Sequence, residues 1–253
     1  MLFRSPLPDW ETLPYDVLSP QEELVSERLE ALYRLTAPTG GADVLLTSAV
    51  TASQRLSPVS YIGANTFFFH QGEQISLTTL QKRLAAAGYA NVKQVLAAGE
   101  FAVRGSIVDV FPMGSERPFR LDFFDDEIES IRWFDVDTQR SMESAEEIRL
   151  LPGHEFPVDP EALLAFRQRW RREFAGDPKK SIVYCDIEKE ILPPGIEYYL
   201  PLFFDETAAL TDYLPPNARV FLLGDIEAAL QAFGRDMASR YKVLAADPQR
   251  PAL

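Results

Sequence analysis

Few residues in this chain are of types and spacings that could do chemistry. A phosphate-binding loop needs glycines for close backbone approach and a lysine after the last of them to reach the phosphates. None of the 13 glycines is followed by lysine. In VFLLGDIE, Asp225 and Glu227 follow an apolar run, as at the magnesium-holding end of an ATPase strand. Without a phosphate loop, Asp225 reads better as the start of the last helix, where a carboxylate suits the dipole. His70 and His154 stand in unrelated segments with no second ligand at helical spacing, whereas a metal site needs three or four converging ligands. The run DDE at 125–127 and the pair Glu146 and Glu147 offer neighbouring carboxylates for acid-base work. The first lies between two alternating strands and reads as a solvated turn. Cys185, the only cysteine, excludes an internal disulfide and reads as a small buried hydrophobe rather than a nucleophile. No catalytic residue, cofactor or metal is expected.

The segment FRQRWRREF sets Arg167, Arg169, Arg171 and Arg172 around Trp170, a composition that suits nucleic acid. Trp170, however, shares a helical stripe with Leu163, Phe166 and Phe174, which turns it inward. The chain also carries 25 Lys and Arg against 38 Asp and Glu, a formal charge of −13 that repels a phosphate backbone. A solvated helix face is the preferred reading, and a protein with basic patches is the expected kind of partner.

The remaining candidate is FRLDFFDDEIESIRWFD at 119–135, which alternates as a β-hairpin. Phe119, Leu121 and Phe123 then line a core face, and Arg120, Asp122 and Phe124 the other. In FAVRGSIVDVF the same alternation separates Val103, Ile107 and Phe111 from Arg104, Ser106 and Val108. Arg104 joins Arg120 and Phe124 on one outer face if the strands are neighbours. Two arginines with an exposed aromatic have the composition of a protein-docking hot spot. The alternative, which composition alone favours, pairs Arg120 with a cross-strand carboxylate and packs Phe124 under a loop.

The elements that must position these residues follow from periodicity. Ser19, Pro20 and Glu22 form a capping-box pattern ahead of a helix whose Leu24, Val25, Leu29, Leu32 and Tyr33 face a core. The turn PTGGAD leads to DVLLTSA, a buried strand. From about residue 66 come TFFFHQG, the helix SLTTLQKRLAAAGY stopped by Gly88, and the short strands VKQVLAA, FAVRGSIVDVFP, RPFRLDFF, EIESIRWFD and EEIRLLP. These make a small antiparallel α+β part. Helical period returns in PEALLAFRQRWRREF. RVFLLG then reads as a buried strand and DIEAALQAFGRDMASRYKVL as a helix with Ile226, Ala229, Leu230, Phe233 and Met237 inward. The expected fold class is α/β with an inserted α+β domain. Pro6 and Pro8 stand where a signal peptide would be apolar, and no stretch is long enough for a membrane span, so a cytoplasmic location is expected.

At this point WETLPYD, SPQEELVSERLEALYRL, GEFAVRGSIVDVFPMGS, PFRLDFFDDEIESIRWFDVDTQRS, LPGHEFP and PPGIEYYLPLFF bring in a family. In collinear blocks over nearly the whole chain they resemble the N-terminal module of bacterial transcription-repair coupling factors (the Mfd family), itself similar to the excision-repair protein UvrB. The resemblance implies a degenerate, helicase-like UvrB fold. Residues 1–65 would be a partial α/β subdomain lacking its N-terminal part, 66–150 an inserted domain that docks UvrA, and 151–253 the second α/β part. It implies Arg104, Arg120 and Phe124 as the UvrA-binding residues. It also implies a truncated, noncatalytic adaptor that recruits UvrA to stalled transcription complexes in nucleotide excision repair. RNA polymerase and DNA would be partners of the full-length family member, an ATP-dependent DNA translocase, through domains absent here. The competing expectation is part of a UvrB-like, ATP-dependent DNA-binding or helicase-type repair enzyme.

Overall fold

Ser76 opens a helix as its position suggests: its hydroxyl accepts the amide of Thr79 at 3.2 Å, and Gly88, at φ +89°, ends the turn that follows. The computed structural model describes residues 4–37 and 44–253. In chain order these form β1 (Arg4–Pro6), α1 (Glu22–Thr36), β2 (Val44–Leu46), α2 (Ala49–Ala52), α3 (Val59–Ala64), β3 (Phe67–His70), α4 (Leu77–Ala86) and β4 (Ala90–Asn91). Next come β5 (Glu100–Arg104), β6 (Ile107–Val110), β7 (Phe119–Phe124), β8 (Glu127–Phe134), β9 (Ser141–Ala145) and β10 (Glu147–Leu150). Helices α5 (Pro160–Glu173), α6 (Ile182–Glu188) and α7 (Ile226–Leu244) follow, with short 3-10 turns between them. The architecture is mixed α/β with three separate sheets among the described residues. No helix of these residues is long and apolar enough to cross a membrane.

Two compact units arise from this order. One combines Glu22–Tyr33 with Ser60–Asp159, and the other the described parts of residues 1–21, 34–59 and 160–253. The first of these holds a six-stranded sheet in the order β4-β5-β6-β7-β8-β9, antiparallel except for β4 with β5. One face of it is core: Phe101, Val108, Val110, Phe119, Leu121 and Ile131 are all buried. Strands β3 and β10 pair separately. Residues 22–33, which the sequence reading places in the first segment, belong to this unit for a physical reason. The guanidinium of Arg28, fully buried, binds Glu155 at 2.5 and 3.2 Å, and the Ser26 hydroxyl accepts the amide of Gly114 at 2.8 Å. A buried charge is tolerable only with such a partner.

The other unit is mostly helical around the two-stranded parallel pair β1–β2. Its core carries the α5 stripe: Leu163, Phe166 and Trp170 are buried, and Trp170 packs on Phe174 with the rings tilted by 57° and their centroids 4.5 Å apart. Several expectations need correction here. Ser19 does not cap α1, which starts at Glu22; its hydroxyl instead donates to Glu197 at 2.9 Å and accepts from the Gly195 amide at 3.0 Å. Of DVLLTSA, Val44–Leu46 form a strand, with Val44 and Leu46 exposed rather than buried. RVFLLG joins no ladder among the described residues, and Val220, Phe221, Leu222 and Leu223 are all exposed. An apolar run becomes a buried strand only beside a partner strand, and the β1–β2 pair does not extend to it. In α7 no residue is buried, so the stripe from Ile226 to Met237 lies on a largely open helix. In the sheet-bearing unit, VKQVLAA is irregular, and a strand not foreseen, β9, closes the sheet. The turn PTGGAD lies outside the described residues.

Candidate functional site

The site is built by two tight turns. Gly105, at φ +61°, and Ser106 join β5 to β6 so that Arg104 sits directly opposite Ile107. A two-residue turn reverses the parity that an unbroken strand would keep. The side assignment read from FAVRGSIVDVF is corrected accordingly: Val103 pairs with the buried Val108 on the core face, while Arg104 and Ile107 share the outer one. Asp125, at φ +51°, and Asp126 join β7 to β8, with Phe124 opposite Glu127. Asp is among the few residues that tolerate this left-handed conformation, because its short side chain bonds locally. Of the acidic run DDE, Asp125 and Asp126 are thus the turn and Glu127 opens β8.

Strand order then brings the outer-face residues together. Ala102, Asp109, Arg120, Arg132 and Ser144 form one row across five strands, and Arg104, Ile107, Asp122 and Ser130 the next. Asp109 is fully buried, next to a small apolar cluster of Val95, Ala102 and Phe134. Arg120 donates from Nε to its Oδ1 at 2.6 Å and from Nη2 to its Oδ2 at 3.0 Å, and Arg104 donates from Nη2 to the same Oδ2. One carboxylate therefore holds two guanidinium groups. Arg120 extends further, from Nη1 to the carbonyl of Gln139 at 3.1 Å and to the Ser141 hydroxyl at 3.2 Å. Its guanidinium lies 5.0 Å from the centre of the Phe134 ring, within cation–π range. The hydrogen bond to Asp109 raises the Arg120 pKa above its ordinary value. Phe124, by contrast, is 69% exposed, while its neighbour Phe123 is buried.

All three residues singled out from sequence, Arg104, Arg120 and Phe124, fall on this outer face, yet in different states. Arg120 takes the cross-strand carboxylate of the plainer reading, whereas Phe124 has no covering loop. Sequence reasoning missed Asp109, Gln139 and Ser141. The signal for Asp109 was a lone acid inside the apolar strand IVDV, where a buried charge demands a partner.

The other candidates lie elsewhere. Asp225 caps α7, its side chain accepting the Ala228 amide at 3.0 Å. His70 is exposed near Glu147 at 3.6 Å, and His154 is half-buried, its ring stacked on that of Phe156. No group of three metal-capable side chains exists among the described residues. Cys185 is half-buried, with its thiol near the Lys179 carbonyl. Around the buried Trp170, Arg169 binds Asp205 at 2.6 Å, Arg167 approaches Glu188 at 3.8 Å, and Arg171 lies over the Tyr184 ring. A cavity of about 740 Å³ in the helical unit mixes Arg55 and Arg172 with Glu173 and Asp205 along an aromatic wall of Trp10, Tyr198 and Phe233.

Comparison with known proteins bears on the sheet-bearing unit directly. Residues 67–156 match the family model described as the UvrB interaction domain. The chain is 45% identical over 248 residues to the transcription-repair-coupling factor of Escherichia coli (strain K12), covering 98% of this chain and 21% of that protein. It is 45% identical over 249 residues to that of Haemophilus influenzae, covering 97% and 21%. Against that of Bacillus subtilis (strain 168) it is 31% identical over 228 residues, covering 84% and 19%. The chain thus spans about a fifth of the length of the curated relatives it matches.

Proposed function

For a chain related to the bacterial transcription-repair-coupling factors and carrying a UvrB interaction domain, we propose the function of a noncatalytic adaptor that docks UvrA. Residues 66–150 are the docking domain in this proposal, and residues 1–65 and 151–253 are the two α/β parts of a degenerate, helicase-like UvrB fold. The adaptor recruits UvrA to stalled transcription complexes, in transcription-coupled nucleotide excision repair. In the same proposal, engagement of RNA polymerase and DNA, and ATP-driven translocation, are assigned to parts of a full-length family member outside the matched fifth.

One observation carries the proposal. Phe124 is 69% exposed on the sheet face that also presents Arg104, inside the span matched by the interaction domain. Leaving a phenylalanine ring in water forgoes roughly 1.5–3 kcal/mol of burial free energy, and aromatic residues and arginine are both enriched at protein interfaces. Phe124 stands at the end of a strand paired on both sides, so its backbone is already ordered before a partner arrives.

Hydrogen–deuterium exchange of the chain with and without UvrA tests the reading. Added protection is expected in peptides covering 100–111 and 119–134. Protection confined to the helical unit, or none at all with UvrA in excess, would move the docking site or remove it.

A further inference from the structure

Four consecutive large apolar side chains stand in water just ahead of α7. Val220, Phe221, Leu222 and Leu223 are 68%, 79%, 72% and 81% exposed. The backbone of residues 219–224 makes no hydrogen bond to any described residue, and Arg219 has no ion pair among them. Unpaired amides and carbonyls beside apolar side chains are what a free strand edge offers to another strand. The open stripe of α7 follows directly, with Leu230 also exposed. A single exposed leucine needs no explanation, whereas a contiguous apolar run marks an interaction surface.

We propose that this run is a self-association edge, and that its occupant is the same run of a second copy of the chain. The run carries its own complement: RVFLLGDIE has a cation at one end, carboxylates at the other and an apolar strand between them. Antiparallel pairing about Leu222 sets Phe221 of each copy against Leu223 of the other, and Leu222 against itself. It also brings Arg219 of each copy to Asp225 and Glu227, which open α7 of the other. Opposite charges across a strand pair stabilise it and like charges oppose it. Parallel pairing would align Arg219 with Arg219 and carboxylates with carboxylates, so charge selects the antiparallel, two-fold arrangement. Four side chains fall short of the roughly 800 Å² per partner that a stable interface buries, and the stripe of α7 extends the same contact. The formal charge of −13 on each chain opposes association, but salt at physiological strength screens it beyond about 8 Å, whereas the paired charges are in contact. These residues lie in the helical unit, which does not carry Phe124, so the proposal stands apart from the docking reading.

Sedimentation velocity of the full chain across micromolar concentrations tests the proposal. The parent should pass from a 28.5 kDa species to one of twice that mass as concentration rises. Leu222→Lys sets two lysines face to face on the axis and should weaken the dimer at least about thirtyfold, with an unchanged thermal melt because the residue is exposed. A parent that stays monomeric throughout, or a Leu222→Lys variant that dimerises like the parent, overturns the proposal. The register has its own arm, which does not depend on any loss. Arg219→Glu, and separately Asp225→Ser with Glu227→Lys, should each dimerise at least about fivefold more weakly than the parent; serine keeps the cap of α7. Mixed in equal amounts, the two variants should associate within about twofold of the parent, since each end again joins opposite charges. A mixture no better than either variant alone contradicts the antiparallel pairing. Hydrogen exchange identifies the occupant: the amides of residues 220–223 should be slow in the dimer and fast in the monomer. Slow exchange in the monomer would place another segment of the same chain on the run and overturn the proposal.

Discussion

Asp109 and Arg120 face each other directly across the β6–β7 pair, the carboxylate without solvent exposure and the guanidinium closing on both of its oxygens at 2.6 and 3.0 Å. Removing one member of a buried pair leaves the other charge unpaired, which costs about 3–5 kcal/mol. Arg120→Ala should therefore lower the unfolding free energy of the sheet-bearing unit by about 3 kcal/mol in urea titrations. Arg104→Ala should cost less than about 1 kcal/mol, since half of its side chain is in solvent and Asp109 keeps Arg120. Equal destabilisation by the two would contradict the asymmetry between them.

Trp170 is 2% exposed, with rings of Phe166, Phe174, Tyr184 and Tyr199 around it. Trp170→Ala should cost about 3–5 kcal/mol of stability. Arg172→Ala, on the exposed side of the same helix, should stay within about 0.5 kcal/mol. Thermal melts followed by near-ultraviolet circular dichroism distinguish this from a base-stacking platform, for which Trp170→Ala would leave the melt unchanged and abolish binding to single-stranded DNA.

Burial pushes the His154 pKa down to about 4, from an ordinary 6.5. The folded chain thus favours the neutral ring while the unfolded chain takes up a proton below 6.5. Stability is at full strength above pH 6.5 and falls as pH drops from 6.5 towards 4, by about 3 kcal/mol if this histidine acts alone. Urea midpoints measured between pH 8 and 4.5 should show this loss and should flatten in His154→Leu. A parent whose midpoint is constant down to pH 5 would contradict a ring held neutral in the folded chain.

What was legible in the sequence is what local periodicity encodes. The strands of the hairpin at 119–134, the helix capped by Ser76, and the inward turn of Trp170 all follow from alternation, caps and stripes within a single element. Misreadings arose wherever a second element decides. Gly105 and Ser106 looked like strand interior, yet as a two-residue turn they exchange the faces of Ile107 and Val108. RVFLLG has the composition of a buried strand, but composition does not supply the neighbouring strand that burial requires. Ser19 has the spacing of a helix cap, and its hydroxyl is taken by Glu197 and Gly195, far away in sequence. The outer face was readable as residue types; the linking carboxylate of Asp109 became visible only once β6 was placed between β5 and β7.

The most direct test of the docking account is the affinity of UvrA for the full chain and for Phe124→Ala, measured by calorimetry beside a thermal melt of each protein. The account predicts binding by the parent, a loss of at least about thirtyfold in the variant, equivalent to about 2 kcal/mol, and an unchanged melt, because Phe124 is exposed. Equal affinities for parent and variant would contradict it, as would a variant that loses binding only because it no longer folds.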